Sequence, residues 1–210
     1  MGLQMLKKWL IGAGNMEIKI GVLALQGGVA EHLNHLNQIK NIRATAIKKP
    51  EELNSCSGLI IPGGESTTIR KLIKHYHFKN AIEDFNQQKK IIWGSCAGLI
   101  LLAAEIEGEN KEQLALLDIK VKRNAFGSQL DSFIAKDIIP KVSAEPQELV
   151  FIRAPLITEV GPDVNILYKK DDQIAAVENK NIIATAFHPE LTESIDFHQY
   201  FVDKIKRLVN

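Results

Sequence analysis

The apolar run Ile18-Lys19-Ile20-Gly21-Val22-Leu23-Ala24-Leu25 is broken by a single charge, as expected of a strand buried on both faces. Gln26-Gly27-Gly28 then turns the chain. Val29, Leu33, Leu36 and Ile39 follow at helical spacing and predict an amphipathic helix over about 28–40. A second strand is expected over Thr45 to Lys48, and a third over Gly58-Leu59-Ile60-Ile61, ending in Pro62-Gly63-Gly64. Ser66 is placed to cap a helix carrying Ile69, Leu72, Ile73 and Tyr76. Ile91-Ile92-Trp93 is the next strand, and Ala97 to Ala104 the helix after it. Such alternation of strand, turn and helix predicts a parallel sheet covered by helices.

The second half reads differently. Leu116 to Lys122, Leu149 to Arg153, Asn165 to Tyr168, Gln173 to Val177 and Ile182 to Ala186 are short strand candidates separated by turn residues. A closing helix carries Phe197, Phe201, Ile205 and Leu208 at spacings of three and four. No internal repeat or linker interrupts the pattern. The simplest architecture is one α/β domain with an inserted or appended antiparallel portion.

Size and charge narrow the function classes. A chain of 210 residues can close one sheet-and-helix core. Apolar residues are 45% and charged residues 24% of the total, which argues against disorder. The net charge of +1 gives no electrostatic case for nucleic acid or a membrane surface. No apolar run approaches the roughly 18 residues that span a bilayer. Two cysteines, Cys56 and Cys96, are too few for a disulfide framework, so a cytoplasmic location is expected. Residues 1–15 precede the first strand and read as a dispensable extension, which leaves 16–210 as the domain. Their Gly12-Ala13-Gly14 has Glu17 at the third glycine position and does not make a dinucleotide loop.

Candidate chemistry lies at the turns, where parallel sheets collect catalytic groups beyond the carboxyl ends of their strands. Cys96 follows a strand, precedes a helix and is flanked by Gly94 and Gly98. This is the spacing of a nucleophile elbow, and the helix N-terminus it opens favours a thiolate. Downstream, His188-Pro189-Glu190 follows another strand. Proline biases the residue before it toward extended backbone, and extended residues two apart share a side. Glu190 is therefore expected to orient His188, the base for Cys96. Histidines 32, 35, 75, 77 and 198 read as ordinary core or surface residues. In α/β-hydrolases the acid precedes the histidine, whereas here it follows by two.

A Gly-x-Cys-x-Gly elbow with a later His-Pro-Glu resembles the class I, triad-type glutamine amidotransferases. Further segments narrow the resemblance: Leu23 to Gly27, Pro62-Gly63-Gly64-Glu65-Ser66-Thr67-Thr68, Arg123 to Gly127, and Phe151 to Pro155, in that order. They are similar to the glutaminase subunits of pyridoxal 5'-phosphate synthases, over about residues 18 to 208. The resemblance implies a single-domain, flavodoxin-like fold with a central, mostly parallel sheet and a smaller antiparallel portion. It implies hydrolysis of L-glutamine by Cys96, His188 and Glu190, with no metal and no cofactor. It assigns glutamine binding to Gly64, Glu65, Ser66, Arg123, Ile152 and Arg153, and the oxyanion hole to the N–H groups of Gly64 and Ala97. It also implies a hetero-oligomer with a (β/α)8-barrel synthase subunit that takes up the ammonia, with the Gln26-Gly27 loop and first helix as contact surfaces. Ser128 stands where many members have arginine. The rival readings are an amidotransferase subunit of histidine or guanine nucleotide synthesis, a non-catalytic binding module, and a cysteine hydrolase of esters or peptides.

Overall fold

The computed structural model describes residues 17–109, 113–125 and 132–209. The extension at 1–15 and Ser128 lie outside the described residues. β1 (Ile18–Leu23), α1 (Val29–Leu36), β2 (Ile42–Ile47) and β3 (Gly58–Ile61) open the chain, with one 3₁₀ segment at Pro50–Ser55. Next come α2 (Ser66–His75), α3 (Phe78–Gln87), β4 (Ile91–Ser95), α4 (Ala97–Leu102), β5 (Ala103–Ile106) and β6 (Leu117–Lys122). The rest consists of β7 (Phe133–Asp137), β8 (Gln147–Phe151), β9 (Leu156–Val160), β10 (Asn165–Lys170), β11 (Gln173–Glu178), β12 (Ile182–Thr185) and α5 (Asp196–Val209).

The main sheet has the order β2-β1-β3-β4-β12-β11-β9-β6-β5, with β10 pairing β11. Its first five strands are all parallel, in the doubly wound order in which ligands sit where the winding reverses. The antiparallel strands continue this same sheet through β11. Only β7 and β8 form a separate two-stranded sheet. The parallel strands β3, β4 and β12 are buried along their whole length, which explains their largely apolar sequences. Trp93 is fully buried; its indole N–H donates to Thr185 Oγ1 at 3.2 Å and its ring packs on Phe197 and Phe201 of α5.

Several boundaries differ from expectation. α1 stops at Leu36, four residues short, and Asn41 (φ 63°) turns the chain so that β2 starts at Ile42. Glu65, not Ser66, caps α2: its two carboxylate oxygens accept the N–H groups of Thr67 at 2.9 Å and Thr68 at 2.6 Å, where a hydroxyl offers one. α4 ends at Leu102 because Ala103 turns extended and starts β5, paired with β6. Leu208 is exposed rather than core-facing. Among elements that the sequence pattern did not predict, α3 buries Phe78, Ile82 and Phe85.

Candidate active site

The loops after β1, β3, β4 and β12 emerge side by side because those four strands are neighbours and parallel. Cys96 directly follows β4 with φ 47° and ψ −97°, a strained backbone for a residue with a Cβ. The flanking glycines are required by close approach. A Cβ on Gly94 would meet the Gly98 carbonyl carbon at 2.5 Å, and one on Gly98 would meet the Ile61 oxygen at 2.1 Å. The Cys96 N–H donates to Thr185 O at 2.7 Å, tying the elbow to β12.

His188 lies just beyond the end of β12, its N–H donating to Val150 O at 2.9 Å. Its Nδ1 lies 2.8 Å from Glu190 Oε1. The expected pair thus exists, but by a different local geometry: residues Pro189–Leu191 form one 3₁₀ turn, not an extended segment. Proline's fixed φ suits the first position of such a turn, which folds the glutamate back under the imidazole. With Nδ1 facing the carboxylate, Nε2 is left for Cys96. Burial disfavours charge on His188, but hydrogen bonds to Cys96 and Glu190 outweigh it and push its pKa up to about 10. Glu190 is also buried, which raises its pKa, yet His32 and His188 hold it below the usual carboxylate value.

The glycine loop after β3 lies against this pair. A Cβ on Gly63 would fall 2.4 Å from His188 Cε1 and 3.4 Å from Cys96 Cβ. The Gly63 N–H donates to Ser95 Oγ at 2.9 Å, and its carbonyl accepts the Gly28 N–H at 3.1 Å. In a trans peptide the Gly64 N–H points opposite to the Gly63 carbonyl, so the Gly27-Gly28 contact sets the direction of that donor. Gln26 steadies the next residue, its Oε1 accepting the Glu65 N–H at 2.8 Å. The Ala97 N–H opens α4 directly beside the sulfur-bearing residue.

The remaining predicted positions lie at the start of α2, after β6 and after β8. Arg123 lies 2.8 Å from Glu109 and 3.7 Å from Glu65, so its guanidinium faces two carboxylates. Glu65 is engaged by its own helix; its bond from the Thr68 hydroxyl is the largest cause of a pKa lowered to about 2. Ser66 is buried at the start of α2. Ile152 and Arg153 are exposed, with Arg153 at φ 44°, and they leave β8 next to the strand end that holds His188. Among the described residues no group of three or more His, Cys, Asp or Glu side chains converges as a metal site would.

The sequence model of the SNO glutamine amidotransferase family matches residues 22–207. The chain belongs to that family. Among relatives is the pyridoxal 5'-phosphate synthase subunit PdxT of Clostridium botulinum (strain Loch Maree / Type A3), 48% identical over 89% of this chain and 97% of that protein. The PdxT of Thermoanaerobacter sp. (strain X514) is 50% identical over 88% and 98%. A crystal structure of a glutamine amidotransferase superposes with a TM-score of 0.83 at 38% identity, covering 89% of this chain and 98% of that one. Another glutamine amidotransferase, from Thermotoga maritima, has a TM-score of 0.61 at 12% identity, over 92% and 86%, and shares the fold.

Two neighbours of the candidate site were missed in the sequence. Ser95 is fully buried and linked to Gly63, and His32 is fully buried beside Glu190. The one signal was a histidine on the face of α1 that packs inward, a position where an apolar residue is ordinary.

Proposed function

We infer that this chain is a glutaminase that supplies ammonia to a synthase subunit making pyridoxal 5'-phosphate. The observation that carries the reading is the buried 2.8 Å His188–Glu190 pair next to Cys96, in a chain about half identical to relatives named for that synthase. Cys96 sulfur adds to the side-chain amide carbon of glutamine, and the Gly64 and Ala97 N–H groups receive the oxyanion. His188 gives its proton to the departing nitrogen, releasing ammonia and leaving a thioester. Water then attacks the thioester carbon while His188 takes its proton, and cleavage of the C–S bond frees glutamate. Arg123 and Arg153 are assigned to the substrate carboxylate, Glu65 to its ammonium, and Ser66 and Ile152 to the walls.

The partner is read as a (β/α)8-barrel protein in a hetero-oligomer, and residues 1–15 as an extension the reaction does not need. The test is glutamate release from L-glutamine by wild type and Cys96→Ala, each with and without the barrel synthase. With that partner present, release by wild type and none by Cys96→Ala is expected. No release by wild type in its presence would overturn the reading.

A further inference from the structure

One buried imidazole touches both halves of the site. His32 Nε2 lies 3.5 Å from Glu190 Oε2, the carboxylate oxygen that His188 does not use and that has no hydrogen-bond partner among the described residues. The same nitrogen is 3.2 Å from Ser95 Oγ, which accepts the Gly63 N–H at 2.9 Å. The ring is held on its other edge by His198, whose Nε2 is 2.9 Å from His32 Nδ1, and edge-on against Trp93 at 5.2 Å between centroids. His35 stacks on His198 in turn. The tautomer follows from these neighbours. A bare Nε2 lone pair facing a carboxylate is repulsive, so Nε2 carries the proton and Nδ1 accepts from His198. His198 Nδ1, which has no hydrogen-bond partner among the described residues, is then an unpaired acceptor rather than an unpaired donor. Burial lowers the pKa of both His32 and His198.

We propose that His32 is a positioning residue. Its Nε2–H edge holds the Glu190 carboxylate under His188 and, through the Ser95 hydroxyl, sets the glycine loop at the same depth. This rests on the reading of Cys96, His188 and Glu190 as the reacting triad. His32 touches no substrate; it keeps the acid and the loop in register.

The test compares His32→Leu, His32→Gln and His32→Asn in glutamate release with the barrel synthase, alongside thermal melting. Glutamine's amide nitrogen reaches the Nε2 position and asparagine's the Nδ1 position. His32→Leu and His32→Asn are expected to lower kcat about 10- to 100-fold with KM within about twofold, the scale of a misaligned catalytic group. His32→Gln should recover most of the loss. Equal losses in Gln and Asn variants, or wild-type kcat in the Leu variant, would overturn the proposal. If His32→Leu does not fold, the Gln–Asn comparison decides. Ser95→Ala should act on KM, through the loop; unchanged KM would remove the loop half of the proposal. Iodoacetamide labelling of Cys96, followed by mass spectrometry without glutamine, gives a second readout. A slower rate in His32→Asn than in His32→Gln supports the role and equal rates refute it, even if wild type proves not to be a glutaminase.

Discussion

Gly63→Ala tests how closely the glycine loop is fitted to the reacting pair. The added methyl would sit 2.4 Å from His188 Cε1 and 2.8 Å from Nδ1. Carbon–carbon contact is relaxed at about 3.5 Å, so ring and loop must separate by about 1 Å. The ring is restrained, its Nδ1 held by Glu190 at 2.8 Å and a hydrogen bond joining it to Cys96. A misplacement of about 1 Å at a catalytic group costs about 100-fold in rate, equivalent to about 2.7 kcal/mol. Overpacking itself costs stability, about 1–3 kcal/mol, so folding must be monitored separately. Gly21→Ala is the control: its methyl would press on Ile47 Cγ1 at 2.6 Å, in the core and away from the site. Steady-state glutamate release with the barrel synthase should fall about 100-fold for Gly63→Ala and change little for Gly21→Ala, at comparable melting temperatures. A Gly63→Ala enzyme with kcat within about threefold of wild type would refute the fitted-loop reasoning.

Stability should also depend on pH through His188. Its folded pKa is raised from 6.5 to about 10, so its contribution is complete below the unfolded value and is lost as pH rises from about 6.5 toward 10. Calorimetric melting should therefore fall more steeply across that window for wild type than for His188→Gln. Lys204→Met removes a 2.6 Å partner from the buried Glu178 carboxylate. Because Tyr200 and Lys141 remain, the loss expected in urea unfolding is about 1.5–3 kcal/mol, with glutamate release unchanged. A chain lacking residues 1–15 should match the full chain in melting temperature and in glutamate release with the barrel synthase.

What was legible in the sequence follows from what each element buries. β3, β4 and β12 are covered on both faces, so their apolar runs declare them. β5, β7 and β9 bury few or scattered residues, and short patterns of that kind do not separate from loop. α3 is a different case, because its stripe of Phe78, Ile82 and Phe85 has helical spacing and is readable without the structure. At the site, Cys96 and the glycines stand out because turn geometry restricts the residues around them. The pairing of His188 with Glu190 is legible but its backbone is not: the extended bias before proline stops at His188, and the chain turns at once. His32 was not legible: its partners Ser95 and His198 lie 63 and 166 residues away along the chain, and only the folded sheet and α5 bring them together.

The position of β12 in the sheet bears on how the protein is made. It lies between β4 and β11, and its Thr185 meets Trp93 across a separation of 92 residues. Until that late segment leaves the ribosome, β4 has an unpaired backbone edge, the kind of surface that invites pairing with other chains. Contacts of such long span form slowly. During synthesis, therefore, Cys96 exists long before His188, and closing the sheet and bringing these two side chains together are one event.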